Sequence, residues 1–195
     1  MGFTRLELEE FRGHEVEDLV GPGLRLLFVG INPGLWTAAV QTHFAHPTNR
    51  FYPALAAAGI TDHEVDRVAG MSDADRAHLV SRGVGITNLV RRATARASEL
   101  SPDELREGGA RLLRFVAEHR PRVVAIAGIT AYREAFGARG AVLGRQPETL
   151  ESASRWSGAA LWVVPNPSGL NAHETVATLA AAYAAPAAEA GVVAG

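Results

Sequence analysis

Four short apolar runs, Leu24–Val29, Val84–Val90, Val123–Ala127 and Leu161–Val164, punctuate the chain between Gly, Pro or polar residues. Unbroken apolarity over so few positions marks strands buried on both faces, as in a parallel sheet. Between these runs the spacing turns helical. Ser101-Pro102-Asp103-Glu104 is a capping box with Pro at the first helical position, predicting a helix to about His119 that Pro121 ends. Ser72 and Thr130 are candidate caps of two more helices, and Asn49 to Ala58 reads as another. Asn171 with Glu174 suits the cap of a last helix running into Ala180–Tyr183. Strands alternating with helices predict an α/β fold of three layers, a mostly parallel central sheet flanked by helices. With no internal repeat and no linker, residues 1–195 are expected to form a single domain. Residues 1–20 are expected as an N-terminal extension, and residues 186–195, from Pro186 into an Ala/Gly-rich end, as a flexible tail.

Composition narrows the chemistry. The chain has no Cys, which excludes disulfides, thiolate-bound metals and iron–sulfur clusters. Its His and carboxylate residues show no compact ligand spacing such as H-E-x-x-H, so neither a metal nor a cofactor is expected. No apolar run approaches the roughly 20 residues of a membrane span. Met1 to Phe11 is too polar and acidic for a secretory signal, and a cytoplasmic location is expected. The formal net charge of -2 does not advertise nucleic acid. Arg91, Arg92 and Arg96 cluster after one apolar run, either as a phosphate-binding footprint or as a solvated loop. The sequence contains no Lys; all 19 basic side chains are Arg.

In a parallel sheet covered by helices, ligands bind in the crevice beyond the carboxyl ends of the strands. Three of the four predicted strand ends carry Asn: Asn32, Asn88 and Asn166. An amide offers a donor beside an acceptor and so can read the edge of a base. Gly30-Ile31-Asn32-Pro33-Gly34 lacks the spacing of a dinucleotide fingerprint and the Lys-Ser/Thr of a phosphate loop. It is either a rigid turn or a platform, because Asn before Pro is held out of helical geometry and its amide direction is fixed. Pro165-Asn166-Pro167-Ser168-Gly169-Leu170-Asn171 is a second stiff loop. Leu170 at its tip suits a wedge entering a base stack, and Ser168 with N–H groups at the following helix start suits a phosphate. His43-Phe44-Ala45-His46-Pro47 offers an aromatic that either stacks on a base or fills the core between two surface His residues.

Together these segments resemble the mismatch-specific uracil-DNA glycosylase and thymine-DNA glycosylase family. The matching residues are Gly30-Ile31-Asn32-Pro33-Gly34, Phe44-Ala45-His46-Pro47 with Asn49-Arg50-Phe51, Gly85-Ile86-Thr87-Asn88, Arg106-Glu107-Gly108-Gly109 and Asn166-Pro167-Ser168-Gly169-Leu170, in family order from about Gly21 to Tyr183. The resemblance implies a uracil-DNA glycosylase-like fold. It also implies excision of uracil, notably in G:U mismatches, from double-stranded DNA by a protein acting as a monomer in bacterial base excision repair. It makes Asn32 the residue that positions the attacking water. Gly30, Ile31, Gly34, Phe44, Asn88 and Asn166 become base-binding residues, and Ser168, Gly169, Leu170 and Asn171 form the DNA-binding wedge. Asn88 matches the thymine-DNA glycosylase branch, whereas the bacterial uracil branch tends to have Lys there. Ala172 stands where that bacterial branch places an Arg, and Trp36-Thr37 follows the first loop where small residues are common. Thymine, ethenocytosine and deaminated purines are alternative substrates, and an inactive DNA-binding module or a small-molecule α/β enzyme are the rival classes. A strand-nicking glycosylase works through an amine Schiff base, most often of Lys, so this chain is expected to be monofunctional.

Overall fold

In the computed structural model, which describes residues 2–194, five strands form one sheet. They are β1 (Leu26–Gly30), β2 (Val84–Asn88), β3 (Val123–Ala127), β4 (Gly144–Arg145) and β5 (Ala160–Val164). The order is β2-β1-β3-β5-β4, parallel except for the antiparallel edge strand β4. Side chains alternate across each strand into two separate cores. Leu26 and Phe28 of β1 join Val123 and Ala125 of β3 on one face, while Leu27 and Val29 join Val124 and Ile126 on the other. The first face is covered by α3 (Phe51–Ala57), α4 (Asp73–Ser81) and α8 (Val176–Glu189), the second by α5 (Pro102–His119), α6 (Ile129–Phe136) and Trp156, which follows α7 (Leu150–Arg155). Short helices α1 (Arg5–Glu9) and α2 (Leu35–Ala39) complete the chain. This is the three-layer, mostly parallel α/β fold expected.

The chain leaves β1 toward β2 and then crosses back to β3, so the strand order reverses between β1 and β3. A crevice at the carboxyl ends of the strands is the consequence. Its floor is rigid. Phe28 meets Phe51 edge-on at 5.2 Å and Tyr183 at 5.4 Å, and all three are essentially buried. Each such ring contributes roughly 1.5–3 kcal/mol by burial alone. The Tyr183 hydroxyl donates to Pro165 O at 3.1 Å, which ties α8 to the loop after β5. On the other face, a Cβ on Gly108 would lie 2.4 Å from Leu89 O, and one on Gly109 2.8 Å from Ala135 O. The Gly108-Gly109 pair is therefore a packing device that lets α5 approach the loop after β2 and the end of α6.

Several local expectations are corrected. The edge strand β4 was not foreseen, being only two residues long. Helix α6 begins at Ile129 behind Gly128, whose φ of 122° suits glycine, and Thr130 is not its cap. Helix α8 begins at Val176 with Thr175 as its cap, because Asn171 is engaged in the preceding loop. Nor does the chain fray at Pro186: α8 continues to Glu189, and Pro186, Ala187 and Ala190 are buried against the first core. Small apolar side chains there pack on the sheet, which outweighs the amide lost at proline. Residues before 20 also engage the body, since Leu19 and Ile86 exchange backbone hydrogen bonds of 2.9 and 2.8 Å. That pairing covers the otherwise open edge of β2.

Candidate active site

Gly30 ends β1, and the loop beyond it is fastened to the segment following β2. Leu89 N–H donates to Gly30 O at 2.9 Å, Val90 N–H to Ile31 O at 2.9 Å and Thr94 N–H to Pro33 O at 3.1 Å. The loop carbonyls are thus occupied, whereas the N–H groups of Ile31, Asn32 and Gly34 have no hydrogen-bond partner among the described residues. The Asn32 amide is fixed in the same way. Its Nδ2 donates to Thr94 Oγ1 at 2.7 Å and contacts Pro33 O and Arg92 O, each at 3.1 Å. Thr94 Oγ1 donates its own proton to Arg96 O at 2.9 Å, so toward Asn32 it can only accept. Three acceptors around the nitrogen settle which end of the amide is which. Asn32 Oδ1 remains as an acceptor without a protein partner among the described residues.

A second chain of bonds sets the wall opposite. His43, only 2% exposed, shares a 2.8 Å hydrogen bond between its Nε2 and Glu17 O. A carbonyl can only accept, so Nε2 carries the proton and Nδ1 the lone pair. Asn88 Nδ2 donates to that lone pair at 2.9 Å, leaving Asn88 Oδ1 turned toward Gly30. Burial pushes the His43 pKa down to about 4, which keeps this neutral tautomer in place around pH 7. The Asn88 carbonyl accepts from Arg111 on α5, so both ends of this residue are clamped. A Cβ on Gly30 would stand 2.3 Å from Asn88 Oδ1 and 3.1 Å from Phe44 Cζ. Glycine is required there for the amide and the ring to close on the end of β1.

Phe44 is half-buried in the left-handed region, with φ 58°, which is uncommon for an aromatic residue. Its neighbours hold it there: Tyr52 Oη donates to His43 O at 2.6 Å and Thr37 Oγ1 to Ala45 O at 3.0 Å. One ring face stacks on Phe51 at 4.0 Å and 23°. Phe44 thus makes a core contact through one ring face, while the ring edge lies beside Gly30. Thr37 is consumed by that bond, and Trp36 packs edgewise on Phe3 and His46, which accounts for bulk at these two positions.

The loop after β5 is stiffened from within. Asn166 Oδ1 accepts from Ser168 N–H at 3.0 Å, Ser168 Oγ from Leu170 N–H at 3.3 Å, and Asn171 Nδ2 donates to Asn166 O at 3.1 Å. Arg50 donates to Ser168 O at 2.6 Å and Asn171 O at 2.7 Å, and also bonds Glu174 O. Gly169 lies so close to Thr48 that a Cβ would reach its Oγ1 at 2.2 Å. The Asn49-Arg50-Phe51 segment is therefore the buttress of this loop. Leu170 projects from it 90% exposed. The expected phosphate cradle at a helix start is not formed around Ser168, because α8 begins only at Val176. Asn166 Nδ2 instead approaches Gly128, where Ile31 also packs.

The sequence carries no local signal for the roles of His43, Thr94 and Arg111, and it leaves Arg91, Arg92 and Arg96 open between a phosphate footprint and a solvated loop. Arg91 pairs with Glu15 at 2.9 Å and Arg92 with Glu104 at 2.5 Å, so two of the three clustered arginines are neutralised. A groove beside Ile31 is lined by Arg133, Arg139 and Arg155, together with Arg106, which pairs with Asp103 at 2.7 Å and with Glu134 of the same groove.

A family model described as the uracil DNA glycosylase superfamily matches residues 17–186 of the chain. Among solved structures, the chain is similar to the solution NMR structure of a candidate uracil DNA glycosylase from Methanosarcina acetivorans. The TM-score is 0.53 at 16% sequence identity, covering 89% of this chain and 98% of that one. At that identity the likeness is one of fold.

Proposed function

Because the chain belongs to the uracil DNA glycosylase superfamily, we propose that it is a monofunctional DNA glycosylase acting on uracil flipped out of duplex DNA, with a preference for uracil opposite guanine. The observation that carries this reading is the Asn32 amide. Its nitrogen is consumed by Pro33, Arg92 and Thr94, so it offers a reactant only a carbonyl oxygen. Such an oxygen accepts a proton-bearing partner and orients a water, but lacks the basicity to deprotonate it. Cleavage of the glycosidic bond leaves positive charge on the sugar and negative charge on the base. An oxocarbenium needs only a weak, well-placed nucleophile, and the unpartnered N–H groups of the Gly30–Gly34 loop are donors available to the departing uracil anion.

Asn88 supports uracil as the base. One proton of its Nδ2 is spent on His43, leaving an acceptor oxygen beside one free N–H. That pair complements the N3–H and O4 of uracil and opposes the N3 and N4 amino group of cytosine. Thymine shares the uracil edge, so it is the nearest competitor. Leu170, exposed on its braced loop, suits the gap left by a flipped nucleotide. The flip itself costs a few kcal/mol, less at a mismatch. The arginines beside Ile31 offer a path for phosphates.

The test is a panel of duplexes carrying uracil, thymine, ethenocytosine, hypoxanthine or xanthine opposite guanine, repeated on single strands. Released base and alkali-sensitive sites are both scored. Uracil release with an otherwise intact strand is expected. With no Lys in the sequence, borohydride should trap no covalent adduct. Salt-sensitive duplex binding without release of any base would refute the enzyme and identify a binding module.

A further inference from the structure

Outside the crevice, Asp62, His63 and His78 bring together ligand atoms that all lie within 4.8 Å of one another. Asp62 and His63 sit in the loop after α3, and His78 in the last turn of α4. We propose that they form a site for a divalent transition cation of the zinc class, bound by Asp62, by Nδ1 of His63 and by Nε2 of His78, with water completing the shell. Two imidazoles and a carboxylate are a donor set that suits such a cation, and three protein ligands leave one position open in a tetrahedral site.

The geometry around His63 suits a metal ligand as well as an ion pair. Its Nε2 lies 2.6 Å from Asp75 Oδ1, and the other oxygen of Asp75 is held by Ser72 N–H at 2.9 Å and Ser72 Oγ at 2.7 Å. Asp75 is thereby locked into the cap of α4 and accepts from Nε2–H, which turns the Nδ1 lone pair of neutral His63 outward. A carboxylate behind the far nitrogen is the usual support of a metal-binding histidine. That Nδ1 faces Asp62 Oδ1 at 2.5 Å, so two electron-pair donors oppose each other unless something positive lies between them. His78 Nε2 is buried without a hydrogen-bond partner and lies 3.3 Å from the same oxygen. A proton on His63 satisfies one of these contacts; a divalent cation satisfies all three donors together. The sequence conceals the arrangement because 15 positions separate His63 from His78. Bound metal would clip the loop after α3 to α4 and raise stability by mass action. The proposal does not depend on the glycosylase reading.

The experiment uses tag-free full-length protein and chelator-free buffer at pH 7.5, with Zn²⁺ alone in calorimetry and Co²⁺ alone in visible absorption. Expected are one saturable Zn²⁺ equivalent, a Tm that rises with Zn²⁺ and falls back with EDTA, and Co²⁺ bands of tetrahedral intensity. His63→Ala, at an exposed position, should abolish the Co²⁺ bands and weaken Zn²⁺ binding at least about 10-fold. Asp75→Asn keeps every donor but loses the carboxylate behind His63, and should weaken binding about 10- to 100-fold. No saturable binding tighter than about 100 μM, or the same affinity in wild type, His63→Ala and His78→Gln, would overturn the proposal. Calorimetry of these variants is preceded by circular dichroism, and retained folding makes either result decisive.

Discussion

Replacing Asn32 with Asp tests whether the crevice is built for an amide or merely tolerates one. The new carboxylate would face the acceptors that now receive Nδ2: Thr94 Oγ1 at 2.7 Å and the carbonyls of Pro33 and Arg92 at 3.1 Å. Thr94 can turn its proton to the carboxylate, but only by abandoning Arg96 O. The two backbone carbonyls cannot adapt at all. Two or three lost bonds in a part-buried site, at about 1 kcal/mol each, predict a destabilisation of about 2–3 kcal/mol. For a domain of this size that lowers Tm by about 4–12 °C. Asn32→Ala removes the same donors but leaves space for water to serve the acceptors, so its loss should be nearer 1 kcal/mol.

The pH dependence gives that prediction its sign. Surrounding acceptors disfavour the charged carboxyl, so Asp at position 32 has a raised folded pKa. Its deficit against wild type at the same pH should be small below the ordinary Asp pKa and grow as pH rises through the folded value. Melting curves across pH, with single-turnover release of uracil at pH 7.5, form the assay. Asn32→Ala should slow release about 10²- to 10³-fold, the scale of losing one preorganised polar group, and Asn32→Asp should not exceed wild type. An Asp variant as stable as wild type at pH 7.5, or faster, would refute the claim that the crevice requires the amide nitrogen.

Gly30→Ala should destabilise by about 1–3 kcal/mol through overpacking and abolish excision, since its methyl meets Asn88 Oδ1 and Phe44; denaturant melts and product release read both. Leu170→Ala removes an exposed side chain, so stability should stay within about 0.5 kcal/mol while excision from duplex falls about 10-fold or more; an unchanged rate argues against the wedge. His43 is held neutral, with a folded pKa of about 4 against an unfolded value of 6.5. The unfolded chain therefore takes up the proton first: the contribution of His43 is intact above pH 6.5 and is lost as pH falls toward 4, about 3 kcal/mol in all. Urea melts of wild type and His43→Gln across this range should show a flatter profile in the variant, whose amide can still accept from Asn88 and donate to Glu17 O.

What the sequence displays of this molecule is what a period or a rigid turn can encode. Val123–Ala127 is a strand at the limits expected, and the Ser101 box opens α5, because each element is fixed by its own residues. Asn32 and Leu170 are visible for the same reason: proline, glycine and position after a strand restrict them locally. The residues that orient them are invisible because their meaning lies in contacts across the chain. Thr94 acts on Asn32 over 62 positions and His43 on Asn88 over 45, and neither spacing belongs to a helix or a strand. One reading of its segment puts His43 on the surface, because nothing in the composition there demands burial. Its burial follows from Glu17, Tyr52 and Asn88 each supplying or receiving one of its bonds. The same logic separates the arginines: Arg91 and Arg92 are adjacent and conspicuous, yet distant carboxylates neutralise them, while Arg133, Arg139 and Arg155, scattered along the chain, meet in one groove with an Arg106 that Asp103 and Glu134 pair. A local turn can place a reactive amide at the end of a strand, but only the assembled fold determines which of its two atoms faces the substrate, and for Asn32 and Asn88 that choice is what permits the chemistry proposed.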